Sequence, residues 1–172
     1  MGHFMKKSYC DNQKIIISKA KESDFSELIS LINSLADYEK LQRPDKEAQK
    51  RLKEHAFGSN PIVEAWLSRI DRKVAGYAIT FFTYSSFLAL PTLYLEDIFV
   101  LPEYRSKGIG KELFKHCAKI AFEKGCGRMD WQVLDWNKLA IDFYNKIGAK
   151  HMKEWLNFRL TSEDIKRFIQ SN

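Results

Sequence analysis

Leu93-Tyr94-Leu95-Glu96-Asp97-Ile98-Phe99-Val100, then Leu101-Pro102-Glu103-Tyr104-Arg105, then Ser106-Lys107-Gly108-Ile109-Gly110-Lys111: this stretch decides the fold. The first segment is rich in β-branched and aromatic residues and reads as a strand. Pro102 has no N–H for a sheet ladder, so the strand is expected to stop near Leu101. Beyond Gly110, Leu113, Phe114, Cys117, Ile120 and Ala121 recur at the spacing of one helix face. A strand therefore feeds a short basic loop, and the loop feeds a helix. The first N–H groups of a helix lack intrahelical partners and lie at the positive end of its dipole. Gly108 and Gly110 allow close backbone approach, and Arg105, Lys107 and Lys111 add positive charge. The stretch predicts a phosphate or pyrophosphate cradle.

Two common cradles do not fit. A Walker loop needs Ser or Thr after its Lys, and Glu112 follows Lys111. A dinucleotide fingerprint needs a third Gly where Leu113 stands.

At 172 residues the chain suits one domain over residues 14–172, after a polar, flexible segment at residues 1–13. With 45% hydrophobic and 13% aromatic residues it is not a disordered chain. The formal net charge is +6, but no basic run is interleaved with aromatics, which argues against nucleic acid. A polyanionic cofactor accounts for a local basic excess at residues 105–111. The three cysteines, Cys10, Cys117 and Cys126, are odd in number and form no C-x-x-C pair. A reducing, cytoplasmic setting is expected. The histidines show no metal-ligand spacing, and no apolar run approaches a membrane span, so neither a metal nor a membrane is expected.

Strands are predicted at residues 14–18, 62–68, 74–84, 93–101 and 129–134. Helices are predicted from a Ser23 cap to Tyr38-Glu39, at 45–56, after Gly110, around 140–147, and from a Ser162 cap to Ile169. Asp71-Arg72 reads as a hairpin turn and Ser85 to Thr92 as a loop. Residues 150–153 and 155–160 read as a terminal hairpin. The order is mixed α/β in one sheet.

Arg105-x-x-Gly108-x-Gly110 between strand and helix resembles the pyrophosphate loop of the GNAT superfamily of N-acetyltransferases. Leu95 to Val100, Pro102 to Arg105, Val133-Leu134-Asp135-Trp136-Asn137 and Phe143-Tyr144-x-x-x-Gly148-Ala149 resemble one subfamily. It contains the spermidine/spermine N-acetyltransferases and the thialysine Nε-acetyltransferases. The resemblance implies a splayed, mostly antiparallel sheet flanked by helices, acetyl-CoA as cofactor, a small amine as substrate and a homodimer. By the same resemblance, backbone groups of Ile98, Phe99 and Val100 hold the pantetheine arm. Residues Arg105, Ser106, Lys107, Gly108, Ile109, Gly110 and Lys111 hold the pyrophosphate. Asn137 bonds the cofactor and Tyr144 faces the thioester sulfur. Glu96 and Asp97 border the amine site, with Tyr38, Glu39, Tyr84 and Ser85 contributing. Ser106 stands where the family usually has Gly, which is expected to be tolerated at negative φ.

The chemistry moves two protons. An amine with a pKa of roughly 10.4 must lose one before it attacks, and Glu96 can accept it. The leaving thiolate needs a donor, and Tyr144 fills that role. Asn137 and Tyr144 are about two helical turns apart, roughly 10 Å along one face, so both can line one groove. Strand alternation places Asp97 on the face opposite Glu96, which makes Glu96 the stronger base. Ser85 stands where the polyamine enzymes carry Asp, which favours a thialysine- or lysine-like substrate over polyamines. A protein or peptide acetyltransferase and a non-catalytic acyl-CoA-binding regulator are the competing readings.

Overall fold

The sheet is assembled around one tight hairpin. Asp71 and Arg72 both take left-handed φ, 49° and 66°, the requirement of a two-residue turn whose twist matches its strands. They join β2 (Glu64–Ile70) to β3 (Lys73–Ser85). In this computed structural model, which describes residues 14–171, β1 (Ile16–Lys19) pairs with β2, and β3 pairs with β4 (Leu90–Val100), all antiparallel. β5 (Arg128–Trp131) adds to β4 in parallel, giving the order β1-β2-β3-β4-β5. The sheet is thus mostly antiparallel, as expected. The expectation for residues 1–13 lies outside the described residues.

A helix covers each face. α1 (Phe25–Glu39) buries Leu28 and Leu31 against Leu67, Tyr77, Ile79 and Phe99. α3 (Ile109–Glu123) buries Ile109, Leu113, Cys117 and Ile120 against Ala78, Leu93 and Leu95. Each full burial of a large aliphatic side chain contributes roughly 1.5–3 kcal/mol, so these two stripes hold the helices to the sheet. α2 (Lys46–Phe57) is charged and peripheral, and Asp45 caps it by accepting from the Ala48 N–H at 2.7 Å. Residues 133–171 form a second unit with α4 (Lys138–Lys146) and α5 (Ser162–Gln170). Gly148, at φ 83°, ends α4 as expected.

Four local expectations are corrected. The helix α1 is not capped by Ser23; a 3₁₀ turn at Glu22–Asp24 precedes it, closed by Asp24 accepting from the Lys21 N–H at 2.8 Å. Ser162 is not the cap of α5 either, because Thr161 and Asp164 make a reciprocal capping box one residue earlier. The predicted loop 85–92 is a short turn, with Ser85 paired to Leu90 and Tyr84 to Pro91. Pro91 does not interrupt β3–β4 pairing: its C=O accepts from the Gly127 N–H on the β5 side, so its missing donor faces away from β3. The terminal hairpin does not form. Residues 150–160 contain no strand, and Trp155, Leu156 and Phe158 are exposed. A lone two-stranded ribbon with no third strand is marginal in water.

At Gly76 the β4 backbone leaves no room for a side chain on β3. A Cβ there would stand 2.4 Å from the Phe99 carbonyl oxygen and 3.2 Å from the Val100 Cα, both backbone atoms. Gly76→Ala is expected to force the strands apart and lower stability by about 1–3 kcal/mol. Urea unfolding measures it, and an unchanged midpoint would contradict this packing.

Candidate active site

The β3–β4 ladder carries one extra residue. Thr80 pairs with Leu95 and Ile79 with Asp97, which leaves Glu96 as a bulge with no counterpart. The bulge reverses the alternation of β4. Leu93 and Leu95 face α3, and beyond the bulge Ile98 and Val100 face α3. Phe99 packs on the α1 side. Counted from either end, Glu96 and Asp97 both fall on the α1 face. The expectation that they point to opposite faces is corrected, because alternation does not survive an inserted residue.

Three carboxyl groups gather on that face. Asp97 Oδ2 accepts from the Tyr77 hydroxyl at 3.2 Å. Burial pushes the Asp97 carboxyl up to about 6, helped by the charges of Glu96 and Glu39, while the Tyr77 bond opposes the shift. Glu39, in the last turn of α1, is raised by burial. Tyr77 is fully buried, and burial and then the Asp97 charge hold its phenol protonated. In a chain with a formal charge of +6, this concentration of negative charge suits a cationic ligand. Glu96 itself is exposed.

β4 also has an open edge. The Leu101 N–H donates to the Ala75 C=O at 2.9 Å, so the backbone groups of Leu101, and by alternation those of Phe99, face β3. Those of Ile98 and Val100 face the other way. There β5 pairs only as far as Leu95 with Trp131, so beyond the bulge no strand covers that edge among the described residues. The Val100 C=O accepts from Arg105 Nε at 3.0 Å. The N–H and C=O of Ile98 and the N–H of Val100 are left for an extended ligand added as a strand. Phe99, expected to share this role, turns its backbone to β3 and its ring into the core.

The loop follows directly. α3 begins at Ile109, two residues before the predicted start, with Gly108 as its N-cap at φ 82° and no side chain to cap it. The first intrahelical bond runs from the Glu112 N–H to the Gly108 C=O at 3.0 Å. The N–H groups of Ile109, Gly110 and Lys111 therefore sit at the positive helix end without helical acceptors. A Cβ on Gly108 would meet nothing within 4 Å, and one on Gly110 only Val100 Cγ2 at 3.8 Å. Bare donors under open space suit a pyrophosphate, so these residues fit the phosphates of CoA.

Two residues of the loop differ from expectation. Ser106 takes φ 61°, the left-handed region in which a non-glycine residue costs roughly 1–2 kcal/mol. Arg105 stacks on Tyr38 at 4.6 Å and on Phe99 at 5.5 Å. With its bond to Val100, it ties the loop to α1 and β4. Lys107 lies over the Tyr104 ring at 5.3 Å, and Lys111 is exposed.

Ser85 is 5% exposed, and its Oγ accepts from the Leu88 N–H at 3.3 Å. Its hydroxyl serves the hairpin turn, whereas Tyr84 beside it is exposed. In the second unit, Asn137 Oδ1 accepts from the Ala140 N–H at 3.2 Å and caps α4. Tyr144 is buried beside Phe143, their ring centroids 5.5 Å apart, and burial pushes its phenol up to about 12. A phenol so raised stays protonated near neutrality and can donate. Among the described residues no helix is long and apolar enough to cross a membrane, and no group of three or more His, Cys, Asp and Glu could hold a metal.

Residues 28–149 match the acetyltransferase (GNAT) family. The chain belongs to the GNAT family. It is 36% identical over 163 residues to a thialysine N-epsilon-acetyltransferase of Sus scrofa, covering 88% of this chain and 95% of that one. An L-ornithine N5-acetyltransferase of Arabidopsis thaliana is 45% identical over 102 residues, 59% of this chain and 45% of that one. An aminoglycoside N-acetyltransferase solved in complex with CoA shares the fold, with a TM-score of 0.71 at 20% identity over 86% of this chain and 95% of that one. This GNAT chain is an N-acetyltransferase.

Tyr77 escaped the sequence reading because it sits between Gly76 and Ala78 in an apolar strand, where an aromatic reads as core. The usable signal lay in β4. Leu93, Leu95, Ile98 and Val100 are spaced two, three and two apart, which marks an inserted residue.

The half-buried Asp97 carboxyl has a consequence for stability. The native state binds the Asp97 proton more tightly than the unfolded chain, so ionisation above about pH 6 opposes folding. Asp97→Asn removes that penalty and still accepts from Tyr77. The variant is expected to melt higher than wild type at pH 8, with the gain shrinking as pH falls from 6 towards 4. Thermal melts across that range check it, and a gain independent of pH would contradict the shift.

Proposed function

We propose that this enzyme transfers the acetyl group of acetyl-CoA to the primary amine of a small ω-amino acid or diamine, by direct attack in a ternary complex. One observation carries the reading: the bulge at Glu96 brings Glu96 and Asp97 to one face, near Glu39, where β4 opens its edge. Acetyl-CoA supplies the thioester-activated acetyl group. Ile98 and Val100 hold the pantetheine arm through backbone hydrogen bonds, and the N–H groups of Ile109, Gly110 and Lys111 hold the pyrophosphate. Val100 N–H, on the same edge, is the candidate donor for polarising the thioester carbonyl. The carboxylates bind the ammonium group, and Glu96, open to solvent, passes its proton to water. Tyr144 donates the proton that the departing thiolate takes up. That role, the contact of Asn137 with the cofactor and the contributions of Tyr38 and Tyr84 to the amine site rest on the family resemblance, as does a working homodimer.

The relatives favour an ω-amino acid over a polyamine, since those at 36% and 45% identity are named for thialysine and ornithine. At Ser85 there is no carboxylate to pair a distal ammonium, whatever its hydroxyl does. The absence of one charge-assisted hydrogen bond corresponds to roughly tenfold in specificity. Release of CoA from acetyl-CoA is to be measured with thialysine, ornithine, lysine, putrescine and spermidine. The expected result is a kcat/KM for thialysine or ornithine about tenfold or more above that for spermidine. Spermidine as the better substrate would overturn the preference, and no turnover with any amine would overturn the reading.

A further inference from the structure

We propose that Tyr77 is a positioning residue of the acetyl-transfer site, whose hydroxyl reaches out of the core to fix Oδ2 of Asp97 and leaves Oδ1 to receive the ammonium group of the acceptor. The inference rests on the acetyltransferase reading above. Its basis is geometric. Tyr77 lies on β3 with no exposed surface, packed between the sheet and α1 with its ring 6.4 Å from that of Phe99. A phenol fills such a site no better than Phe unless its hydroxyl has a partner, because an unbonded buried hydroxyl is penalised. The partner is Asp97 Oδ2, at 3.2 Å. The bulge at Glu96 puts the Asp97 carboxyl on Tyr77's face of the sheet. Asp97 pairs with Ile79, two residues from Tyr77 along the same face of β3, which sets the carboxyl within reach of the phenol.

The groups that face this pair define how it works. Glu96 flanks Asp97 on β4, and Glu39 approaches from the end of α1. From the loop, Arg105 stacks over Tyr38 and Phe99. Two acidic neighbours and burial all favour the neutral acid at Asp97, whereas the Tyr77 bond favours the carboxylate. Tyr77 therefore keeps Asp97 available as an anion at the pH where an amine must be bound. Asp97 Oδ1 accepts one proton from the ammonium nitrogen, whose freed electron pair forms the bond to the acetyl carbon. The C–S bond breaks, the nitrogen gives up its second proton, and one proton passes to the thiolate, by the family resemblance through Tyr144, so that CoA leaves as the thiol and Tyr144 ends as the phenol. The proton on Asp97 then leaves through the exposed carboxylate of Glu96.

Tyr77→Phe keeps the ring and removes the bond. One charge-assisted hydrogen bond corresponds to about one pH unit. The acid limb of the kcat/KM profile, expected near 6 in the wild type from the raised Asp97 carboxyl, should rise by about one unit, because Asp97 then holds its proton more tightly. The KM for the amine is expected to rise several-fold while acetyl-CoA affinity stays unchanged. Carbon-13 NMR of the Asp97 carboxyl, without substrates, is expected to show the same upward shift in its midpoint. In an Asp97→Asn background, Tyr77→Phe should move the profile no further. Asp97→Asn alone should lose the limb near 6, which keeps the test decisive if Tyr77→Phe does not fold.

An unmoved midpoint and an unmoved limb in Tyr77→Phe would make Tyr77 a packing residue only and overturn the proposal. So would an equal limb shift in the Asp97→Asn background, or an Asp97→Asn enzyme that keeps its limb. A midpoint that moves while the limb does not would overturn the role in transfer. All these results leave acetyl transfer itself standing, whereas a wild type that acetylates no amine removes that reading while the NMR still decides the Tyr77–Asp97 bond.

Discussion

Glu96 has no partner on β3, and most of what gives the site its shape follows from that inserted residue. A bulge bends and twists the strand that carries it. Parallel pairing with β5 stops one residue before it, at Leu95. Beyond it the edge of β4 is open, and the backbone of Ile98 and Val100 faces outward. The same insertion restores apolar contact with α3, since Ile98 and Val100 continue the stripe begun by Leu93 and Leu95. One residue thus separates the strands, keeps the core intact and turns two adjacent carboxyl groups to one face.

That arrangement is electrostatically expensive. Asp97 is held where its charge is disfavoured by burial and by Glu96 and Glu39. A fold optimised only for stability would place a neutral side chain there. The structure offsets part of the cost with the Tyr77 hydroxyl. The remainder is the kind of local instability expected where a site must receive a cation. Arg105 completes the frame from the other side. Its guanidinium lies on Tyr38 and Phe99 while its Nε holds the Val100 carbonyl, so the 105–111 loop, the open strand and the end of α1 share one anchor.

The strand, loop and helix at residues 93–124 were legible because period-two and helical spacings are local signals, and Gly108 marked the turn between them. The family was legible from the motifs around Arg105, Asn137 and Tyr144. What the sequence hid was mostly non-local. The common face of Glu96 and Asp97 depends on register against Thr80 and Ile79, which no single segment encodes. Arg105 read as a phosphate ligand because its charge is local information, whereas Tyr38 lies far from it in sequence. Ser85 read as a substrate contact, but its hydroxyl closes a turn that only the β3–β4 register defines. The failed terminal hairpin shows the same limit. Trp155 and Phe158 favour a strand, but a strand needs a neighbour.

The central claim is that β4 beyond Glu96 receives acetyl-CoA as an added strand, through Ile98 and Val100 and not through Phe99. Residue-resolved amide hydrogen exchange, with and without saturating acetyl-CoA, measures this most directly. The account predicts that the Ile98 and Val100 amides exchange faster in the free enzyme and become protected on binding, while the Phe99 amide, already bonded within the sheet, changes little. Unchanged exchange at Ile98 and Val100 when the cofactor is bound would contradict it.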